Sequence, residues 1–472
     1  MNILNGTIFL LLEEGELEGN MQTAGVNLRE PFINHHRQSG RLDFLALRES
    51  VGVQRVLLPA SSRIRFTPRI RSVGIGRYGA PVRCSSHGNT EAKLNFESDE
   101  PERSAQPYDV PEMTIPDRWD VVGLGQAMVD FSGVVKDDFL GKLGLSKGTR
   151  KVVDHEERGA CLRALDGYSY KVTAGGSLSN TLVALARLGA GYNLEPALNV
   201  AMTGSVGSDA LGDFYRTKLK RANVHFLSQP IPGGTTGTVI VLTTPDAQRT
   251  MLSYQGMSSV IHYNEALEAQ IASSRVLVVE GYLWELPETV EAISRACERA
   301  RQEGVLVALT ASDVSCVNRH REKMWDVMSQ SADMLFCNAD EARALLRGDE
   351  KLRPRVAAEL LSRCCPLVSV TDGVRGSYIG LKGEVSYIQP SPCVPVDTCG
   401  AGDAYAAGVL YGFLRGVPHI KGIGNLAARV AAVVVGQQGT RLKEEDAREL
   451  AFSLPAFTAT SEVLPVSQST SS

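Results

Sequence analysis

The stretch Asp397-Thr398-Cys399-Gly400-Ala401-Gly402-Asp403 places a turn of small residues directly before an apolar segment. Residues 404 to 415 carry Ala, Tyr, Val, Leu and Phe at the spacing of a helix. A helix N-terminus has unpaired N–H groups and a partial positive charge, so glycines that let a ligand approach make it an anion site. Asp403, in the first turn, would accept a proton from a hydroxyl while the preceding amides hold the charge of a transferring phosphoryl group.

A lone Gly-x-Gly-Asp has a simpler explanation, in which Asp caps the helix and the glycines only form the turn. The complete string, however, resembles the C-terminal signature of the pfkB (ribokinase-like) family of small-molecule kinases. In that family the last Asp is the catalytic base, the Gly-Ala-Gly amides form the anion hole, and the first Asp lies near a monovalent-cation site. The resemblance implies these roles for Asp403, for Gly400, Ala401 and Gly402, and for Asp397, respectively.

The composition limits the classes of partner and compartment. The chain has 472 residues, enough for one large domain with an extension or for two ordinary domains. A hydrophobic fraction of 43% is typical of a soluble globular protein, and a net charge of −4 gives no reason to expect nucleic acid or an anionic membrane as partner. No apolar run reaches the roughly 18 residues that a membrane span needs. Nine cysteines without a Cys-x-x-Cys pair predict a reducing compartment rather than disulfides or a zinc site.

The N-terminal part lacks the pattern of a folded domain. Residues 51 to 90 contain seven arginines and no Asp, Glu or Lys, a composition typical of an organelle transit peptide. Val82-Arg83-Cys84-Ser85 resembles a plastid processing site, so residues 1 to 90 are predicted to be a targeting leader that directs the protein to the plastid (chloroplast) stroma. A disordered basic arm is the alternative. Residues 91 to 118 are acidic and rich in proline, which predicts a linker.

The remainder of the chain shows the sequence pattern of an α/β protein. Apolar strands alternate with helical stretches, which predicts a parallel sheet with helices on both faces and ligands at the carboxyl ends of the strands. With the resemblance, this implies a ribokinase-like α/β fold for residues 119 to 455, followed by a disordered tail over residues 456 to 472. A small β lid is expected from about residues 131–171 and 231–256. The predicted strands include residues 276–280, 305–309, 334–337 and 367–371, and helices are predicted near residues 288–302 and 320–329.

The side of the site that would bind the acceptor combines two segments. Residues 120 to 125 predict a short buried strand that runs on to Asp130, and in pfkB proteins the first strand ends in an Asp or Asn that binds substrate hydroxyls. Residues 173 to 181 resemble the family's Gly-Gly-x-x-x-Asn signature, before a helix predicted at residues 182 to 188. The glycines would let a substrate lie against the main chain, and the amide would offer a donor and an acceptor. The implied substrate-binding residues are Asp130, Gly175, Gly176 and Asn180, with a simple loop carboxylate as the alternative for Asp130.

The side that would bind ATP also combines two segments. Asn338-Ala339-Asp340-Glu341 fits the family's Asn-x-x-Glu pattern, whose Glu acts on the water shell of Mg²⁺ near the phosphates. A helix N-cap with its capping-box partner is the alternative, and both interpretations are compatible. After the strand at residues 367 to 371, the family places a Thr-x-Gly-x-x-Gly turn against the nucleotide phosphates. The implied ATP and Mg²⁺ residues are Asn338, Glu341, Thr371, Gly373 and Gly376.

The resemblance implies ATP-dependent phosphorylation of a hydroxyl on a small substrate, with Mg²⁺ required and K⁺ a candidate near Asp397. Residues 244 to 251 and the string around Asp313 resemble the adenosine-kinase-like branch, so an adenosine-like nucleoside is the first expectation and a sugar the second. A catalytically weak or inactive pfkB-like binding or scaffold protein in a plastid complex is the alternative. An oligomer could form through the lid. Candidates for stacking on a base are Phe131, Tyr168, Tyr170 and Tyr254, and Arg249 is a candidate phosphate ligand.

Overall fold

The computed structural model describes residues 113 to 458, except residues 193, 194, 247 and 287. The predicted leader, residues 91 to 112 of the predicted linker and residues 459 to 472 of the predicted tail lie outside the described residues. The strands are β1 (Trp119–Leu124), β2 (Met128–Val134), β3 (Arg150–Val152), β4 (Tyr170–Gly175), β5 (Val200–Thr203), β6 (Val224–Phe226), β7 (Gly237–Thr243), β8 (Arg249–Tyr254), β9 (Ser274–Val279), β10 (Leu306–Thr310), β11 (Met334–Asn338), β12 (Leu367–Thr371), β13 (Ser377–Leu381) and β14 (Glu384–Ile388).

The α-helices of the described part lie mainly between these strands and after the last of them. They are α1 (Asp137–Lys142), α2 (His155–Ala164), α3 (Ser177–Leu188), α4 (Ala210–Arg221), α5 (Glu265–Ala272), α6 (Thr289–Gln302), α7 (Val314–Ser331), α8 (Ala339–Leu346), α9 (Pro354–Leu361), α10 (Ala401–Leu414), α11 (Ile420–Val435), α12 (Glu444–Phe452) and α13 (Leu454–Thr458).

A nine-stranded sheet forms the centre of the fold, in the order β14-β13-β12-β11-β10-β9-β1-β5-β6. All neighbouring pairs from β12 to β6 are parallel, whereas β13 is antiparallel to both of its neighbours, β12 and β14. Parallel strands buried on both faces are apolar along their whole length. In β9, Val276 and Val278 belong to one buried cluster, while Leu277 and Val279 belong to the other. The ribokinase-like α/β architecture expected from the sequence is therefore confirmed.

The two faces of the central sheet are covered by different helices. Buried residues of α3, α10 and α11 pack in the cluster that contains Val276, and buried residues of α6, α7 and α9 pack in the cluster that contains Leu277. The carboxyl ends of the parallel strands meet at one edge of the sheet, where ligands of such sheets bind. The N-termini of α3, α8 and α10 follow turns at or near this edge, so the fold brings the sequence motifs together.

The lid is a separate five-stranded sheet in the order β3-β8-β7-β2-β4. Strands β7 and β8 form an antiparallel hairpin within the second predicted lid segment, and β2 pairs with β7 in parallel and with β4 in antiparallel. The lid sheet extends beyond the predicted segments, because β2 begins at Met128 and β4 ends at Gly175.

Two local predictions differ from the structure. The strand expected to run from residue 120 to Asp130 is in fact two strands, because the chain leaves the central sheet after Leu124 and enters the lid at Met128. Asp130 therefore lies within a lid strand rather than at the end of the first strand. The helix predicted at residues 182 to 188 begins five residues earlier, at Ser177, so Asn180 lies in its first turn.

Candidate functional site

The turn before α10 has the backbone conformation that its glycines permit. Gly400 is the N-cap residue and has a φ of 78°, in the left-handed region. A Cβ added to Gly400 would lie 2.7 Å from the carbonyl oxygen of Thr440, so a larger residue would meet both strain and a backbone atom. The amide of Ala401 donates to the carbonyl of Thr398 at 3.4 Å, and no side chain caps this N-terminus or competes with an anion for its amides. The helix begins at Ala401, Gly402 has open space at its Cβ position, and Asp403 lies in the first turn as predicted.

The carboxylate of Asp403 is held by two side chains from the first turn of α3. Ser177 Oγ donates to Asp403 Oδ1 at 2.6 Å, and Asn180 Nδ2 donates to Asp403 Oδ2 at 2.9 Å. Thr440 Oγ1 in turn donates to Asn180 Oδ1 at 3.2 Å, which orients the amide. Burial raises the pKa of Asp403 to about 6, although the hydrogen bonds from Ser177 and Asn180 lower it. The carboxyl is therefore mostly ionised at neutral pH, and its pKa lies close to that pH.

Asp130 and the two glycines form a second, adjoining group. A Cβ on Gly175 would overlap the carboxyl of Asp130, so the absence of a side chain at Gly175 makes room for that group. Gly176 has a φ of 94°, and a Cβ there would lie 2.9 Å from the carbonyl oxygen of Gln126. Burial raises the pKa of Asp130 to about 7, against the positive charge of Arg441, which lowers it. The structure therefore brings together the four residues predicted to bind substrate, although Asp130 reaches the site from the lid.

Glu280 lies beneath this group, immediately after β9, and its side chain is 1% exposed. Its Oε2 accepts from the amide of Gln126 at 2.7 Å, and its Oε1 accepts from the amide of Leu178 at 3.1 Å. Burial raises the pKa of Glu280 to about 7, the two amides lower it, and the charge of Asp403 raises it. The carboxylate thus joins the turn after β1 to the N-terminus of α3.

On the predicted ATP side, Asn338 and Glu341 form a capping box at the start of α8. Asn338 Oδ1 accepts from the amides of residues 340 and 341 at 2.9 Å each, and Glu341 Oε2 accepts from the Asn338 amide at 2.9 Å. The alternative interpretation of this motif is therefore confirmed as a structural role. Burial raises the pKa of Glu341 to about 7, with added contributions from Asp313, Asp340 and Asp403. The carboxyl of Glu341 therefore lies within electrostatic reach of the candidate base.

The second ATP-side segment adjoins the first through the sheet. Thr371 pairs with Asn338 in the register of β12 and β11, so the two predicted segments end side by side. Gly373 and Gly376 have φ angles of 56° and 90°, as expected for a turn that needs glycine. Arg375 closes this turn by donating from Nε to Asp372 Oδ2 at 2.8 Å. The glycine turn predicted after β12 is therefore present, and its backbone depends on both glycines.

Asp397 interacts with the lid rather than with Asp403. Its Oδ1 accepts from Arg249 Nη2 at 2.9 Å and from the amide of Cys399 at 3.0 Å. Arg249 also donates to Cys399 Sγ. Burial alone would raise the pKa of Asp397, but the hydrogen bonds from Cys399 and Arg249 lower it below its usual range. A guanidinium therefore supplies the positive charge beside Asp397, at the position where the resemblance implied a monovalent cation.

A second lid arginine also reaches the central sheet. Arg150 of β3 donates to Asp313 Oδ2, while Asp313 caps α7 by accepting from the amide of Ser315 at 2.9 Å. Because of this cap, α7 begins at Val314, six residues before the predicted start. The lid is thus joined by two arginine–aspartate pairs to the edge of the sheet that carries the motifs.

The four aromatic residues that are candidates for stacking on a base differ in their exposure to solvent. Phe131 is 3% exposed and packs in the core, whereas Tyr168 is 43% exposed and lies edge-on to Phe139. Tyr254 shares a 2.6 Å hydrogen bond with Thr235 Oγ1 and lies under the guanidinium of Arg158. Tyr170 contacts Phe131 at a ring-centroid distance of 6.0 Å. Burial thus removes Phe131 from the set of residues that could stack on a ligand.

Residues 113 to 458, apart from the four omitted positions, contain no cluster of three or more His, Cys, Asp or Glu side chains suited to hold a metal ion. The chemistry on the ATP side nevertheless fits Mg²⁺, which keeps several of its waters and needs only one or two carboxylates beside substrate phosphates. Glu341 offers such a carboxylate. In the same described part of the chain, no helix has the length and apolar character to cross a membrane.

Ser177, Glu280, Thr440 and Arg441 belong to the site but were missed by sequence reasoning. Glu280 had a detectable signal, because a carboxylate that ends an apolar strand lies at the ligand-binding edge of a parallel sheet. Ser177 stands three residues before Asn180, on the same side of a helix. Thr440 and Arg441 follow a turn after α11 and carry no such signal, since only the fold brings them to α3. Arg441 Nη2 donates to Ser179 Oγ at 3.4 Å.

Comparison with known proteins indicates the family to which the chain belongs. A family model described as pfkB family carbohydrate kinase matches residues 161 to 447. The crystal structure of adenosine kinase from Sinorhizobium meliloti is 31% identical, with a TM-score of 0.62, and the match covers 72% of this chain and 99% of that chain. A probable sugar kinase protein from Rhizobium etli is 29% identical with a TM-score of 0.62, over 72% of this chain and 99% of that one.

Relatives that match over less of this chain include sugar kinases. The ribokinase of Haemophilus influenzae is 25% identical over 290 residues, which are 58% of this chain and 86% of the ribokinase. A fructokinase of Klebsiella pneumoniae is 27% identical over 269 residues, 56% of this chain and 83% of the fructokinase. The family model spans more than half of the chain and contains both the turn at Gly175 and the string that ends at Asp403. The chain therefore belongs to the pfkB family of carbohydrate kinases and is a phosphotransferase with a hydroxyl acceptor.

Proposed function

We propose that the protein transfers the γ-phosphoryl group of Mg-ATP to a hydroxyl of a small nucleoside or sugar, with Asp403 as the general base. The observation that carries this proposal is the position of Asp403. Its carboxylate lies in the first turn of α10, beside an uncapped glycine turn, and accepts hydrogen bonds from Ser177 and Asn180. A base next to helix amides that no side chain caps is the arrangement that phosphoryl transfer to a hydroxyl needs.

In this mechanism the acceptor lies against Gly175 and Gly176, where the main chain is uncovered. Asp130 and Asn180 bind its hydroxyls, which orients the reacting oxygen toward Asp403. Asp403 takes the proton of that hydroxyl, for which a carboxyl with a pKa near 6 is better suited than one with an ordinary value. The amides of residues 400 to 402 then stabilise the charge that develops on the transferred group.

The nucleotide lies on the other side of the glycine turn. Thr371, Gly373 and Gly376 contact its phosphates, and Asn338 and Glu341 orient the water shell of Mg²⁺. When bound, Mg²⁺ neutralises charge on the phosphate oxygens of ATP. Arg249 is placed to leave Asp397 and bind a phosphate, since its guanidinium already lies beside Cys399 at the start of the turn. K⁺ stays a candidate beside Asp397 for the state in which Arg249 has moved to a phosphate.

An adenosine-like nucleoside is the first acceptor to test, followed by a sugar. The 31% identity to an adenosine kinase over 72% of this chain supports the nucleoside, and the similarity to a ribokinase supports the sugar. In the lid, Tyr168 is exposed and stays a candidate for stacking on a base.

The test is release of ADP by the full chain with Mg-ATP and a panel of nucleosides and sugars. The Asp403→Asn variant keeps the shape of the side chain but loses the base, so we expect turnover to fall by about 10²-fold or more while ATP binding stays close to wild type. Asp213→Asn is the matched control, because Asp213 is an exposed aspartate on α4 that pairs only weakly with Arg216, at 3.9 Å. Turnover of the Asp403 variant within about tenfold of wild type would contradict the assignment. If no acceptor releases ADP although ATP binds, the scaffold alternative replaces the kinase.

We also propose that the chain is directed to the plastid stroma. Support comes from the arginine-rich, acid-free segment at residues 51 to 90 and from similarity to a probable chloroplastic fructokinase of Arabidopsis thaliana, which is 25% identical over 256 residues. A fluorescent fusion of residues 1 to 100 should enter plastids, because such a composition is recognised by organelle import. A purely cytosolic signal would contradict this proposal.

A further inference from the structure

The carboxylate of Glu280, immediately after β9, is buried and fully engaged in hydrogen bonds. It is among the few charged side chains of the described residues that are almost completely shielded from water, with 1% exposure. A buried charge is costly unless hydrogen bonds satisfy it. Both of its oxygens accept from backbone amides, that of Gln126 at 2.7 Å and that of Leu178 at 3.1 Å. The carboxyl group of Glu280 therefore makes a connection between two backbone segments that an apolar side chain could not make.

The two amides belong to the walls of the acceptor site. Gln126 lies between β1 and β2, and its carbonyl oxygen would be 2.9 Å from a Cβ on Gly176. Leu178 is the second residue of α3, whose N-cap residue, Gly176, has no side chain to cap the helix. Glu280 thus supplies, from a different strand, the anion that the N-terminus of α3 otherwise lacks.

The position of α3 in turn determines the position of the base. Ser177 and Asn180 flank Leu178 in the first turn, and both donate to the carboxylate of Asp403. A displacement of this turn would therefore move Gly176, which faces the substrate, together with both side chains that donate hydrogen bonds to Asp403. Gly125 shows how closely the region is packed, because a Cβ there would lie 2.7 Å from Glu280 Oε2.

We propose that Glu280 is a positioning residue for the phosphoryl acceptor, whose carboxylate fixes the turn at Gly176 and the first turn of α3, and through them Asp403. This inference deepens the proposed function and rests on it. A glutamine at position 280 would keep the size of the side chain, but its NH₂ group would face one of the two amide donors. One hydrogen bond would be lost, and a buried N–H would be left without its acceptor.

The experiment compares Glu280→Gln with Asp333→Asn in the full chain. Asp333 is the matched control because its side chain is 5% exposed and accepts from the amide of Val307 at 2.8 Å, at the opposite edge of the same sheet. With the acceptor that the panel identifies, Glu280→Gln should raise the acceptor KM by about tenfold or more and lower kcat, while the ATP KM stays within about twofold. Asp333→Asn should lower the melting temperature similarly and leave all three constants unchanged.

Two kinetic results would overturn the proposal. One is a Glu280→Gln enzyme with acceptor KM and kcat within about twofold of wild type. The other is a parallel rise of the acceptor and ATP KM values, which a purely structural role would produce.

Amide hydrogen exchange tests the positioning role of Glu280 independently of the proposed enzymatic activity. If the wild type turns over no acceptor, the proposed function fails, and exchange alone decides the role of Glu280 in holding the site. Faster exchange at Gln126 and Leu178 in Glu280→Gln, but not in Asp333→Asn, supports the proposal. Unchanged protection at both amides overturns it.

Discussion

The acceptor half and the nucleotide half of the site are built in different ways. We define the acceptor half as Asp130, Gly175, Gly176, Ser177, Asn180 and Asp403, and the nucleotide half as Asn338, Glu341, Thr371, Gly373 and Gly376. In the acceptor half, the bonds from Ser177 and Asn180 to Asp403 join residues 226 and 223 positions apart. In the nucleotide half, the bonds between Asn338 and Glu341 span three positions.

This difference has a functional meaning. A capping box and a glycine turn form from neighbouring residues, so the nucleotide half keeps its shape whenever its two strands pair. The acceptor half exists only when the lid strands, α3 and α10 are all in place. We therefore expect single substitutions in the acceptor half to have larger effects, because each contact there holds parts of the chain that nothing local keeps together.

The largest effect is expected from a glycine substitution in the acceptor half, which is compared below with a glycine substitution in the nucleotide half. A Cβ at Gly175 would overlap Asp130, which must then move from its position in the site. Since displacement of a positioning group by about 1 Å can cost about 10²-fold in rate, Gly175→Ala should lower kcat/KM for the acceptor by that factor and leave the ATP KM nearly unchanged. Steady-state ADP release with each substrate varied in turn measures both constants.

The matched variant in the nucleotide half is Gly376→Ala. Its φ is 90°, and a Cβ would overlap the carbonyl oxygen of Ile388, so the turn must shift. We expect the opposite selectivity and a smaller effect, an ATP KM raised about fivefold, equivalent to roughly 1 kcal/mol. Gly141→Ala is the control for both, because its Cβ would meet nothing within 4 Å. If Gly175→Ala and Gly376→Ala changed the same constant, the division into two halves would be wrong.

A smaller effect is expected from Ser177→Ala, and it appears in the pH dependence. The pKa values of Asp403 and Asp130 are raised to about 6 and about 7, so kcat/KM should fall as pH decreases through this interval and both carboxyls take up protons. Ser177→Ala removes a hydrogen bond that lowers the pKa of Asp403. The acid limb should therefore move to higher pH by about one unit, and below it the rate should fall by about tenfold relative to wild type.

The measurement is kcat/KM from about pH 5 to about pH 9, beside the control Ser294→Ala. Ser294 is an exposed serine on α6 whose hydroxyl donates only to the carbonyl of its own helix, at Val290. An acid limb in Ser177→Ala that coincides with that of the wild type would show that this bond does not tune the base.

Most of the architecture could be predicted from the sequence, because it depends on local pattern. The string before Asp403 predicted a helix start, and the apolar strands predicted a parallel sheet buried on both faces. The Asn338 motif predicted a capping box. In each case the residues that determine the feature are close together in the chain, or are repeated at a fixed period.

The parts that sequence could not predict depend on contacts between distant segments. Asp130 was expected at the end of the first strand, but the chain crosses into the lid at Gly125 to Ala127, and no periodicity marks that crossing. Arg249 meets Asp397 across 148 positions, and Thr440 meets Asn180 across 260. Such pairs follow from tertiary packing, which one sequence without its fold does not reveal.

The buried carboxyls of the site also make the free energy of unfolding depend on pH. Asp130, Glu280, Glu341 and Asp403 all have pKa values raised mainly by burial, to about 6 or 7. In the unfolded chain these groups release their protons near pH 4, so between that value and about 7 the folded state holds more protons than the unfolded one. Their contribution to the free energy of unfolding therefore decreases as pH rises through this interval. The arrangement that keeps a base ready for catalysis makes the native state least stabilised by these groups at the neutral and alkaline pH where the base is ionised.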